Sequence, residues 1–380
     1  MPSRFQPVSA LIEVEGEWEP PNPLILTAPG QYSPRISRTV LHETAHYWQY
    51  LSEGFLTLLA EEEWGRLVVF ERTGAKCPPG PIRHEFLRPD PTLGISPQDL
   101  HEGVARWWEF MSQGPQRLIA EALADGRLRE GAVQSSPSGK HTNSFDIVME
   151  LLGGIYGKVY LEVAEQYGPR ITIAFFALCS HFALQTRHPA YFFNQFIQLA
   201  PNEIELPPAG FNLEMFLKNS FLKVRNLCLQ IVRRAGEDKL LMGGAVIKSG
   251  LLLEHPVYRW SFHRLNYLAK ILVDIKDFPE FASLFPNASD HSVGILMLDG
   301  LLACPIDPPN RGVLSAWLPP PCVRFSDGKT WDFRQICNRE LVPQIKEKEW
   351  ALTLERRRIT ESCIDIRERW AHFLHEYRGY

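Results

Sequence analysis

Apolar residues recur along the chain at two spacings, and each spacing predicts a different element. Partial alternation over residues 8–15 and a compact apolar run over 23–28 predict two short strands. From about residue 36 to 64, apolar residues return every three or four positions, which predicts a helix that Gly54 breaks in two. Further helices are expected at about 97–112, 145–167, 170–186, 189–199, 211–233, 258–275 and 342–377.

Prolines and glycines separate these helical stretches. Residues 75–96 and 276–330 are rich in both and are predicted to be loops. Residues 201–210 contain three prolines and little periodicity, so they mark the best domain boundary. We therefore predict a first domain at 1–204 and a mainly helical accessory region of unknown role at 205–380.

Composition narrows the class of protein. Of the 380 residues, 45% are hydrophobic and 22% charged, which is ordinary for a globular protein. The net charge of -4 gives no basic surface, so we expect no nucleic-acid partner. The seven cysteines form no Cys-x-x-Cys pair, and no apolar run is long enough for a membrane span. We expect a cytoplasmic protein that binds no membrane, and the sequence leaves its oligomeric state open.

The segment His42-Glu43-Thr44-Ala45-His46 carries the candidate chemistry. Two histidines four apart on a helix lie on one face, with Cβ atoms about 5–6 Å apart, close enough to bind one Zn²⁺. Glu43 can lean toward a water in the open coordination position and act as general base. The alternative is a surface helix with two incidental histidines, because this five-residue pattern also occurs by chance.

These residues resemble the zincin metallopeptidases, in which the two histidines bind zinc and the glutamate activates water. The metzincin subgroup is excluded, because Gln49 and Ser52 stand where it has a glycine and a third histidine. The resemblance to the gluzincin subgroup implies a third ligand, a glutamate, on a later helix.

Glu102 is the preferred third ligand, because it opens a new helix after a long loop and has small neighbours. Ser96 as N-cap and Pro97 at the first position predict where that helix starts. His101 competes with Glu102 as the ligand from this turn. Arg106 stands where several gluzincins have an aspartate that orients a zinc histidine, so the sequence leaves that partner unidentified. Three acidic residues nearer the motif, Glu61, Glu62 and Glu63, are interpreted as surface charge.

Cleavage of an amide also needs a donor to the developing oxyanion, and zincins use Tyr or His. Tyr156 is the candidate, because glycines surround it in the sequence. Tyr160, His141 and His181 remain open, although His181 follows an apolar run and is expected to be a core histidine.

The sequence thus predicts an α+β fold: a mainly helical, zincin-like metallopeptidase domain with a small N-terminal sheet, plus a helical C-terminal region. The implied activity is hydrolysis of peptide bonds in a protein or peptide substrate by an endopeptidase with Zn²⁺ as cofactor. The alternative is a regulatory or interaction protein with a closed, non-catalytic zinc site, which His101 and Glu102 together would complete.

Overall fold

The computed structural model describes residues 16–19, 22–27, 43, 45–47, 49–51, 53–113, 169–203, 213–237, 240–241, 243–259, 322–325, 330–331 and 361–376. These residues are mainly helical, as expected. Among them, no helix combines the length and apolar character that crossing a membrane requires.

Four short strands form one sheet in the order β1-β2-β3-β4: β1 Gly16–Glu19, β2 Asn22–Thr27, β3 Cys322–Phe325 and β4 Thr330–Trp331. The pairs β1–β2 and β3–β4 are antiparallel, whereas β2 and β3 are parallel. β2 coincides with the strand expected at 23–28, while the strand expected at 8–15 lies outside the described residues. β3 lies in the stretch predicted to be loop, so that prediction is wrong there.

The motif helix α1 is described at residues 43, 45–47 and 49–51, and α2 follows it at Gly54–Thr73. The predicted break at Gly54 is confirmed, because Glu53 is extended (φ -98°, ψ 112°) and α2 begins directly after it. The Gly54 amide donates a hydrogen bond to the Leu241 carbonyl oxygen at 3.1 Å. A Cβ at Gly54 would lie 2.4 Å from that oxygen, so the close backbone approach requires glycine.

A seven-residue helix, α3 Pro81–Leu87, lies inside the stretch that was predicted to be loop. That prediction is wrong there, and the cause is a cap supplied from α2. The Glu62 carboxylate accepts hydrogen bonds from two backbone amides at the start of α3, at 3.0 and 2.9 Å. Since first-turn amides have no partner within their own helix, this carboxylate stabilises a helix that the local sequence does not favour.

Helix α4 spans Pro97–Gln113 and starts where the sequence predicts. The Asp99 amide donates to the Ser96 hydroxyl oxygen at 3.2 Å, while the Ser96 amide donates to the Asp99 carboxylate at 2.8 Å. This reciprocal pair is a capping box with Asp as its acidic partner. It fixes the start of the helix that carries His101 and Glu102.

Helix α4 packs in a compact unit with α5 Pro169–Ala183, α6 Pro189–Glu203 and α7 Leu213–Arg234. Aromatic side chains fill its core, and the rings of Phe176 and Phe193 meet edge to face at 5.7 Å. The helix expected at 145–167 and the predicted boundary at 204/205 lie outside the described residues. The predicted division into 1–204 and 205–380 stays a prediction.

The second compact unit contains the sheet, α1 to α3, a short helix α8 Gly243–Ser249 and a C-terminal helix α9 at residues 361–376. In this unit α9 packs on α2. The ring of Phe373 lies 5.1 Å from that of Phe70, and Arg369 forms a two-point ion pair with Glu71. The long solvated helix expected at 342–377 is thus described only at 361–376, and one of its faces is buried.

Candidate metal centre

Helix α1 is a buried helix and not a surface one. Glu43 and His46 are 6% and 4% exposed, and Tyr47 and Tyr50 beside them are almost fully buried. A charged or imidazole side chain loses hydration when it is buried, so it needs polar partners or a bound ion. The interpretation of His46 as an incidental surface histidine is therefore wrong. His42 lies outside the described residues, and its role stays a prediction.

The second pair of candidates lies in the first turns of α4. His101 is buried, at 6% exposure, and Glu102 is half-buried. Gly103 and Ala105 beside them are buried as well, as expected for small residues on a packed face. The Arg106 side chain, which stands where several gluzincins have an aspartate, lies outside the described part of the chain.

Three of the candidate side chains form one cluster. His46, His101 and Glu102 each offer a ligand atom, and these atoms all lie within 4.8 Å of one another. Ligand atoms about 2.0–2.2 Å from a tetrahedral zinc are roughly 3.4 Å apart, so the cluster must contract by about 1.4 Å at most. The donor set of two imidazoles and a carboxylate fits zinc and matches the ligands of known catalytic sites.

The cluster differs from the predicted ligand set in one respect. For a catalytic site, His101 and Glu102 were predicted as alternative ligands, and only the closed, non-catalytic site used both; the structure places both with His46. With His42 added, the site would have four protein ligands. Three protein ligands leave a position open for water or substrate, whereas four close the site. Whether one or both of His42 and His101 bind the ion alongside His46 and Glu102 therefore decides between a catalytic site and a closed, non-catalytic site.

His46 is linked to two further buried polar side chains on its own segment. Its Nδ1 lies 3.4 Å from Gln49 Oε1, and Gln49 Nε2 donates to Glu53 Oε2 at 3.1 Å. Gln49 and Glu53 are both fully buried. Sequence reasoning missed them, although their positions three and seven residues after His46 place all three on one helical face.

The acidic residues of α2 are occupied elsewhere. Glu61 accepts the Leu251 amide at 2.9 Å, Glu62 caps α3, and Glu63 pairs with Arg66 at 2.5 Å. Glu63 is only 3% exposed, so the interpretation as surface charge is wrong for Glu63. Desolvation by burial raises the pKa of Glu63, and the neighbouring Arg66 guanidinium opposes that rise.

The remaining candidates separate into two groups. Tyr156, Tyr160 and His141 lie outside the described residues, so the oxyanion donor stays a prediction. His181 is fully buried, and Gln185 Nε2 lies 2.7 Å from its Nε2, which confirms a core histidine with a polar partner. Burial also raises the pKa of the Cys179 thiol, consistent with an inert core cysteine.

No protein family, curated protein or solved structure matches this chain. The resemblance to zincins therefore has only the motif and the site to support it.

Proposed function

We propose that this chain is a zinc-dependent metallohydrolase of the zincin type, a gluzincin-like endopeptidase acting on protein or peptide substrates in the cytoplasm. One observation carries the proposal: His46, His101 and Glu102 hold ligand atoms within 4.8 Å of one another. Glu43 lies one helical turn before His46 and is buried on the same helix. Metal-assisted hydrolysis needs a carboxylate that can reach the water in the open coordination position, and Glu43 is the proposed one.

The proposed ligands are His46, Glu102 and one further histidine. In the zincin arrangement that histidine is His42, four residues before His46, and His101 then lies beside the ion as a polar neighbour. If His101 is the ligand instead, the set is still two imidazoles and one carboxylate, and a coordination position stays open.

Each residue has a defined part in hydrolysis. A bound zinc ion polarises the scissile carbonyl and lowers the pKa of water toward about 7. Glu43 accepts the proton of the attacking water and passes it to the leaving amine nitrogen. Tyr156 is the proposed donor to the oxyanion that develops on the carbonyl.

The test separates metal binding from catalysis. Purified wild type and Glu43→Gln are compared for zinc content by elemental analysis and for cleavage of a quenched fluorescent peptide mixture. We expect both proteins to hold one zinc ion per chain, and Glu43→Gln to lose about 10²–10⁴-fold in rate because the general base is gone. Full activity in Glu43→Gln would refute the enzyme proposal, and a wild type without zinc would refute the metal proposal.

A second function is favoured by the presence of both His101 and Glu102 in the cluster. If His42 binds as well, the four ligands make a closed zinc site, and the protein is a regulator or interaction protein. His42→Ala and His101→Ala discriminate the two cases by zinc affinity. A closed site loses affinity in both variants, whereas a three-ligand catalytic site loses it in only one.

A further inference from the structure

His46, Gln49 and Glu53 form a buried chain of polar contacts in which each hydrogen-bond donor and acceptor can be assigned. The Gln49 side chain sits between the His46 ring and the Glu53 carboxylate, with contacts of 3.4 and 3.1 Å. All three side chains are at most 4% exposed. Burying an amide and a carboxylate costs free energy unless their hydrogen bonds are kept, so the arrangement of donors and acceptors is tightly constrained.

The carboxylate fixes which way the Gln49 amide points. Gln49 Nε2 donates a hydrogen bond to Glu53 Oε2 at 3.1 Å, so the NH₂ group of Gln49 faces Glu53. The amide oxygen then faces His46, and an amide oxygen only accepts. His46 Nδ1 must therefore carry a hydrogen and donate a hydrogen bond to Gln49 Oε1. In a neutral imidazole this leaves the lone pair on Nε2.

We infer that Gln49, held by Glu53, positions His46 for zinc binding by fixing its ring orientation and its Nδ1–H tautomer. This inference rests on the proposed function, because it takes His46 to be a zinc ligand. Gln49 and Glu53 are positioning residues that act through His46. Groups that hydrogen-bond the second nitrogen of a ligating histidine typically change metal affinity by about 10–100-fold.

The chain contains a matched control for this pair. At the end of α5, His181 makes a buried contact of 2.7 Å with Gln185, two residues beyond the helix. There the amide NH₂ faces the ring, so that histidine accepts, and neither residue belongs to the metal cluster. Gln185→Met therefore removes a similar buried contact from a histidine that is not a proposed ligand.

The experiment compares wild type, Gln49→Met and Gln185→Met. Zinc affinity is measured by competition with a chromophoric chelator. The ring tautomer of His46 is measured by nitrogen-15 NMR on the zinc-free protein, with His46→Gln to assign the resonance. We expect Gln49→Met to weaken zinc binding by about 10–100-fold and to abolish the Nδ1–H tautomer. Gln185→Met should leave the zinc affinity unchanged.

Each outcome has a distinct meaning. Unchanged zinc affinity in Gln49→Met refutes the positioning role and leaves the zinc proposal standing. Absence of zinc binding in the wild type refutes both. An Nε2–H tautomer of His46 in the zinc-free wild type also overturns the inference.

Discussion

Glu63 is a buried carboxyl group whose ionisation should make the stability of the protein depend on pH. Burial raises its pKa above the ordinary 4.5, against the opposing effect of Arg66. Between 4.5 and the raised pKa of Glu63, this carboxyl group binds its proton more tightly in the folded protein than in the unfolded chain. The free energy of unfolding therefore falls as pH rises through this window. Above the pKa that Glu63 has in the folded protein, the free energy of unfolding no longer changes with the ionisation of this group.

We therefore predict that the wild type loses stability relative to Glu63→Gln as pH rises. Urea midpoints of both proteins, measured in steps from about pH 4 to pH 8, give this difference directly. The neutral amide keeps the shape of Glu63 and removes its titration. A wild type that gains stability relative to Glu63→Gln as pH rises would mean that the ion pair with Arg66 outweighs burial and lowers the pKa of Glu63.

Candidate residues can be proposed from the sequence where chemistry follows from a local pattern. Glu43 and His46 were proposed from residue type and spacing and Glu102 from the resemblance to gluzincins, and ligand atoms of His46 and Glu102 lie within 4.8 Å of each other. The roles of all three stay predictions. Gln49 and Glu53 were not identified, because a glutamine or glutamate on a helix is usually solvated and only burial reveals their role. For the same reason the sequence could not show that Glu63 is buried while Glu61 and Glu62 cap other segments.

The break between α1 and α2 depends on a contact that only glycine allows. At Gly54 a Cβ would lie 2.4 Å from both the Cβ and the carbonyl oxygen of Leu241, and real Cβ atoms do not approach backbone so closely. Gly65, in the middle of the same helix, has only one atom within 4 Å of its Cβ position, the Leu251 methyl carbon at 3.9 Å.

We predict opposite effects for alanine at these two positions. Gly54→Ala should lower the free energy of unfolding by about 1–3 kcal/mol, because the backbones must separate. Gly65→Ala should raise it by up to about 1 kcal/mol, because alanine favours a helix more than glycine does and has room here. Thermal or urea unfolding of the two variants checks both signs. A Gly54→Ala protein as stable as wild type would show that the close approach to Leu241 is absent.

Elements were predictable where their own sequence supplies the start and the period. Helix α4 begins at Pro97 because Ser96 and Asp99 cap it locally, and the sequence showed this directly. Helix α3 was missed, since its cap comes from Glu62 on another helix. Strand β3 was missed for a related reason: its parallel partner β2 lies about 300 residues earlier, and no local pattern encodes such a pairing.

Zinc binding should also be visible in the stability of the entire protein. A ligand that binds only the folded state stabilises it by RT ln(1 + [L]/Kd), about 2.7 kcal/mol at a hundredfold excess over Kd. The chain also has 12 histidines and seven cysteines, which bind zinc when unfolded, so the measured gain should be smaller than this limit.

We predict that zinc raises the thermal midpoint of the wild type by a few degrees and that a chelator reverses the rise. His46→Ala and Glu102→Ala should respond much less, because each removes a ligand from the cluster. Glu376→Ala is the matched control, since it removes an exposed carboxylate that lies near His375 and outside the cluster. If zinc shifts all four proteins equally, the ion binds somewhere other than the cluster, and the proposed metal centre is wrong. A shift confined to wild type and Glu376→Ala would locate the stabilising ion at His46 and Glu102 without any assumption about substrate.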